Sequence, residues 1–173
     1  MLGKTPEEKK EIGEVFTHRN IANSVRADDD NTMAVFEYAI NNLGVNNILI
    51  TGHSRCGGVK ASMSDESVGG VIGRFLSPVH ELYTNNKEFL ESIPDETERD
   101  LFLVELNIKR LVRIVSQLPI VKERWKDGKM LSVHGWIYRL ETGELEDLGV
   151  TCTNGLKFDT EYLPELEAMG INL

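Results

Sequence analysis

The apolar run Asn47-Ile48-Leu49-Ile50-Thr51, followed at once by Gly52-His53-Ser54-Arg55-Cys56-Gly57-Gly58, constrains this chain more than any other stretch. A short aliphatic run that stops at a glycine reads as a buried strand, and the glycines after it permit a tight turn into a helix. His53 and Cys56 therefore fall between a strand and a helix, the position where open α/β sheets bind ligands. An imidazole nitrogen and a thiolate are both good zinc ligands. The bare His-x-x-Cys pattern fits a buried cysteine beside a loop histidine equally well, because zinc takes at least three protein ligands.

The rest of the chain supplies the elements around that turn. Residues 1–12 are charged and lack apolar periodicity, so they read as a solvated arm, and 14–18 reads as a short strand. After the polar turn 28–31, Met33, Val35, Phe36, Ala39, Ile40 and Leu43 approximate the buried stripe of a helix that Gly44 ends. Residues 68–83 are expected to be helical with a break at Ser77-Pro78, since proline removes a hydrogen bond from a helix interior. The widest apolar face predicts a helix over 95–118, stopped by Pro119 and followed by a shorter one over 121–126. Residues 130–140 and 145–150 read as strands joined by a turn. This order predicts an α/β fold: a mainly parallel central sheet flanked by helices, with an antiparallel edge strand.

Charge and composition exclude several classes of function. A formal net charge of −9 argues against nucleic acid, whose phosphates call for clustered Lys and Arg, and against an anionic membrane surface. No apolar run approaches the roughly 20 residues of a membrane span, and the first residues do not form a signal peptide. Two cysteines are too few for a disulfide scaffold. The expected compartment is the cytoplasm, with an organelle matrix also compatible. A tyrosine-phosphatase loop would need an arginine where Ser62 stands.

Four blocks carry a more specific signal. Gly13-Glu14-Val15-Phe16-Thr17-His18-Arg19-Asn20-Ile21-Ala22-Asn23 and Gly52-His53-Ser54-Arg55-Cys56-Gly57-Gly58 resemble two signature blocks of the β-class carbonic anhydrases. Glu105-Leu106-Asn107-Ile108-Lys109, and His134-Gly135-Trp136-Ile137-Tyr138 with Glu141-Thr142-Gly143, resemble the same family, so the likeness runs over 13–150. The resemblance implies a zinc-dependent lyase that interconverts carbon dioxide and bicarbonate and assembles as a homodimer or higher homo-oligomer. It also implies that His53 and Cys56 are zinc ligands, beside a second family cysteine. The family's first block, a Cys-x-Asp-x-Arg at the end of an upstream strand, has no counterpart here, for residues 1–12 hold no Cys, His or Asp. The chain, read as one domain over 1–173, is thus expected to be N-terminally incomplete relative to the family. Its third ligand and its catalytic residues stay unassigned, and its hydration activity is expected to be impaired. The alternative is a non-catalytic or weakly zinc-binding homologue with an oligomeric structural or regulatory role.

Other residues read differently. Cys152, His80 and His134 match no ligand position of the family, and Cys152 reads as a buried free thiol. Arg19 resembles an arginine that in some members helps hold a regulatory bicarbonate, while an ion pair anchoring its loop is the plain reading. Gly57 and Gly58 are expected to serve the turn and a close helix approach, and Trp125 and Trp136 to pack in the core or an interface.

Overall fold

The structure, a computed structural model, describes residues 14–64, 68–154 and 157–173. The arm expected over residues 1–12 lies outside them. Asp29 opens the first helix, α1 (Asp30–Glu37), by accepting from the Asn31 N–H. A π-helical turn over Tyr38–Asn42 extends it, and Gly44 ends it at φ +64°. Strand β1 (Asn47–His53) follows, then the short helix α2 (Gly57–Ser62). Helices α3 (Gly70–Asn85), α4 (Lys87–Glu91), α5 (Glu96–Gln117) and α6 (Pro119–Lys126) precede the hairpin of β2 (Ser132–Arg139) and β3 (Glu144–Cys152). A second π-helical turn, Phe158–Tyr162, leads into α7 (Leu163–Ala168).

Among the described residues the sheet has three strands in the order β1-β2-β3. β1 pairs parallel with β2, from Asn47 opposite Ser132 to His53 opposite Tyr138, and β3 is the antiparallel edge strand. This is the α/β architecture expected, a mixed sheet flanked by helices. Helix α5 carries the core: Leu103, Leu106, Ile108, Leu111, Val112 and Val115 have no exposed surface. Each such burial contributes about 1.5–3 kcal/mol. Two glycines set how close α5 lies to the sheet. A Cβ on Gly52 would sit 2.9 Å from Ile108 Cδ1, and one on Gly135 3.1 Å from Ile108 Cγ2. The Ile108 side chain therefore rests on β1 and β2 together.

Three local expectations are corrected. The strand expected over 14–18 is absent: this segment is irregular, with Val15 and Phe16 exposed, and leads into a 3-10 turn at Ile21–Asn23. A strand-like composition makes a strand only where another strand can pair with it, and none lies alongside among the described residues. Helix α3 runs unbroken through Pro78. The Arg74 carbonyl, deprived of the Pro78 N–H, accepts from the Ser77 hydroxyl at 2.9 Å instead. Residue 77 thus repairs the defect that residue 78 creates. Pro119 ends α5 as expected, but it also begins α6, where a missing N–H costs nothing.

The C-terminal segment has no counterpart in the sequence reading, yet it is pinned to the core. Phe158 and Ile171 are fully buried. Tyr162 Oη accepts from the Thr151 N–H at 3.1 Å and donates to the Thr151 carbonyl at 3.2 Å. The Asn86 side-chain amide brackets the Asn172 peptide with two bonds of 2.7 Å.

Truncating Ile108 to alanine empties the space above both glycines. Ile108→Ala should lower stability by about 2–5 kcal/mol, read from the midpoint of urea unfolding. A loss below about 1 kcal/mol would mean that α5 does not rest on the sheet through this side chain.

Candidate metal centre

His53 is the last residue of β1, and Cys56 is the N-cap residue of α2. Two residues separate them, and those two carry the local geometry. Ser54 extends the sheet by one bond, its N–H donating to the Tyr138 carbonyl at 3.0 Å, and is itself buried. Arg55 reverses the chain at φ +55°, a left-handed conformation that costs a non-glycine residue energy and persists only where its surroundings hold it. Cys56 then starts α2, with its carbonyl accepting from the Lys60 N–H at 2.9 Å. Its thiol makes no capping bond.

The ring of His53 has a defined tautomer. Nδ1 lies 2.8 Å from the Ser54 carbonyl, which can only accept, so in the neutral ring Nδ1 carries the proton and Nε2 keeps its lone pair. The side chain is exposed and that of Cys56 half-buried. Both donors are therefore accessible and chemically available.

The remaining histidines and the second thiol are engaged elsewhere. His134 spans the sheet, with Nδ1 2.9 Å from Thr151 Oγ1 and Nε2 3.2 Å from Asn47 Oδ1. His80 Nδ1 donates to the Ser62 carbonyl at 2.8 Å, and His18 Nε2 lies 3.4 Å from Thr32 Oγ1. Cys152 is the last residue of β3, opposite Val133, whereas His53 lies opposite Tyr138. Five residues of β2 separate those levels, about 17 Å at roughly 3.3 Å per residue. Cys152 cannot join His53 and Cys56 on one ion. Burial pushes its thiol pKa up. Among the described residues no three His, Cys, Asp or Glu side chains gather to hold a metal.

Residues that sequence reasoning left without a role close around the turn. The Ser54 hydroxyl donates to Glu141 Oε2 at 2.8 Å and accepts from the Leu140 N–H at 2.9 Å. Glu141 Oε1 pairs with Arg55 Nε at 2.7 Å. Asn107 of α5 donates to the Ala22 carbonyl at 3.1 Å. Gly58 lets α2 approach that same segment, where a Cβ would stand 3.3 Å from Ala22 Cβ, whereas Gly57 faces open space. Stretches around residues 22, 53, 107 and 141, far apart in sequence, thus converge on one junction.

Comparison to known proteins shows the family. A family model described as carbonic anhydrase matches residues 8–145. The chain belongs to the carbonic anhydrase family, in its β class. A carbonic anhydrase of Emericella nidulans is 36% identical over 140 residues, covering 81% of this chain and 61% of that protein. One of Candida albicans is 34% identical over 139 residues, covering 80% and 49%. Among solved structures, a β-carbonic anhydrase of Sordaria macrospora, described as tetrameric, superposes with a TM-score of 0.77 at 38% identity, covering 82% of this chain and 72% of that one. The chain thus spans between about half and three fifths of the length of these curated relatives.

The two thiols of this β-class chain should differ sharply in reactivity. In chelator-treated native protein, Cys56 should react with Ellman's reagent promptly and Cys152 only on unfolding, so that Cys56→Ser removes the fast phase. Two fast phases would contradict the burial of Cys152.

Proposed function

We propose that the turn His53–Cys56 holds zinc and that the protein takes part in the reversible hydration of carbon dioxide to bicarbonate. The observation that carries this reading is the pair of free donors, His53 Nε2 and the uncapped Cys56 thiol, on either side of one turn in a β-class chain. An imidazole nitrogen and a thiolate suit zinc in type. An ion held there would supply Lewis acidity that lowers the pKa of water to about 7, which is what hydration of carbon dioxide at neutral pH requires.

The chain's own residues prepare that chemistry. The Ser54 carbonyl holds the His53 Nδ1 proton, which fixes the tautomer and makes Nε2 a better donor. Cys56 would hold the ion as a thiolate, so metal uptake would release a proton. A specific observation also supports the second reading, a weakly zinc-binding homologue: the described residues bring no third donor to the turn, and two ligands make a poor zinc site. Under either reading the compartment proposed is the cytoplasm, in keeping with two unpaired cysteines.

The donors are separable by mutation. His53→Ala and Cys56→Ser should each lower zinc retained after dialysis by about tenfold or more, the scale on which metal sites respond to altered ligation. Cys152→Ser should retain zinc as the unsubstituted chain does. Stopped-flow carbon dioxide hydration should follow the zinc content, and rise when the chain is extended by a strand carrying Cys-x-Asp-x-Arg. Equal zinc in the Cys56 and Cys152 variants would contradict the assignment.

We further propose a homodimer or larger assembly. Val15, Phe16, Tyr38, Leu43 and Leu49 are large apolar side chains left exposed, with the Phe16 and Tyr38 rings 5.8 Å apart. Sedimentation at micromolar concentration should give at least twice the chain mass. A stable, folded monomer would count against it.

A further inference from the structure

We propose that Glu141 is the positioning residue of the metal-holding turn, a latch from the β2–β3 hairpin that keeps His53 and Cys56 in place through Ser54 and Arg55. The inference rests on the zinc reading of that turn and adds to it a residue 85 positions from Cys56.

Three observations carry it. First, the turn has little of its own to hold it, since Arg55 sits at positive φ and the thiol of Cys56 makes no capping bond. Second, Glu141 engages both central residues with separate oxygens, Oε2 accepting from Ser54 and Oε1 facing Arg55 Nε. The Arg55 side chain is 66% exposed, so that arm is screened. The Ser54 arm is sheltered, for Ser54 is 3% exposed, and an unmatched buried hydroxyl is costly. That hydroxyl is bonded on both sides, to Leu140 N–H and to Glu141, so it ties the turn to backbone and side chain of the hairpin together. Third, the latch is anchored in turn. Gly143, at φ +74°, donates its N–H to the Arg139 carbonyl at 2.8 Å and closes the hairpin that presents Glu141. The Ser54 hydroxyl holds the Glu141 carboxyl below the usual carboxylate range, which keeps it an acceptor.

The sheltered arm is the main link to the metal. Ser54 supplies the carbonyl that takes the His53 Nδ1 proton and the hydroxyl that Glu141 accepts. Releasing the hydroxyl lets the Ser54 peptide turn, and the imidazole and the N-cap of α2 move with it. Glu141 touches neither donor atom, and its effect passes through Ser54 and Arg55.

Two readouts on the full chain test this, one of which needs no metal. Trypsin cleaves after Arg55 only when the turn opens. Cleavage at Arg55–Cys56 should be about tenfold faster in Glu141→Ala and in Ser54→Ala, while cleavage after Lys126 keeps its rate. Glu141→Gln, which retains an acceptor for the Ser54 hydroxyl, should return to near the original rate. Cobalt(II) titration, read by the thiolate charge-transfer band, should show affinity reduced by about tenfold in Glu141→Ala and largely recovered in Glu141→Gln. Unchanged cleavage at Arg55 in Glu141→Ala, unchanged cobalt affinity there, or equal acceleration at Arg55 and Lys126 would overturn the proposal, the last by showing general loosening. A starting chain that takes up no cobalt would overturn the metal reading instead, and the trypsin rates would still decide whether Glu141 holds the turn.

Discussion

The packing of Ile108 across Gly52 and Gly135 is the constraint on which the rest of the arrangement depends. Glycine at both places lets α5 lie close against two paired strands, and that contact braces β1 as it ends. Everything at the site is measured from that end. His53 is the last paired residue, Ser54 adds one more bond to the sheet, and Cys56, two residues later, is the N-cap residue of α2. A side chain at Gly52 would press on Ile108 Cδ1 at 2.9 Å, so that the Ile108 side chain or the strand has to give. Close packing in the core is thus what makes a two-residue turn at the surface a defined geometry.

A second tier of contacts acts on the turn from the other direction. Asn107 and Gly58 bring the Ile21–Asn23 turn against α5 and α2, and Glu141 brings the hairpin down onto Ser54 and Arg55. These are polar, specific contacts, unlike the aliphatic packing beneath them. They determine orientation more than stability, as expected where an exposed ion pair is screened and a sheltered hydroxyl is fully bonded. The proposed centre would thus have its two donors on a strand end and a helix start, with their orientation held by neighbours.

Most of the architecture was legible in local pattern. The strand read at 47–51, the long helix read over 95–118, the hairpin with its Glu141–Glu144 turn and the Gly44 stop all follow from periodicity and from turn chemistry. The failures share a cause, which is that pattern does not record partners. Glu14–His18 has the composition of a strand and, among the described residues, no strand to pair with. Pro78 has the chemistry of a helix breaker, but Ser77 beside it supplies the missing donor. The segment after Cys152 folds back because Tyr162 and Asn172 find bonds at Thr151 and Asn86. His53 and Cys56 stood out by residue type and spacing. Glu141 did not, because a carboxylate in a hairpin turn reads as solvated until Ser54, 87 residues away, is found beneath it.

The most direct measurement is the zinc K-edge X-ray absorption spectrum of the zinc-loaded chain, which reports the atoms bound to the metal. The expected result is a first shell with one sulfur at about 2.3 Å and one imidazole nitrogen at about 2.0–2.1 Å, completed by oxygen. The sulfur should disappear in Cys56→Ser and the imidazole in His53→Ala. A shell of oxygen alone, or a sulfur that persists without Cys56, would contradict the assignment of the metal to this turn.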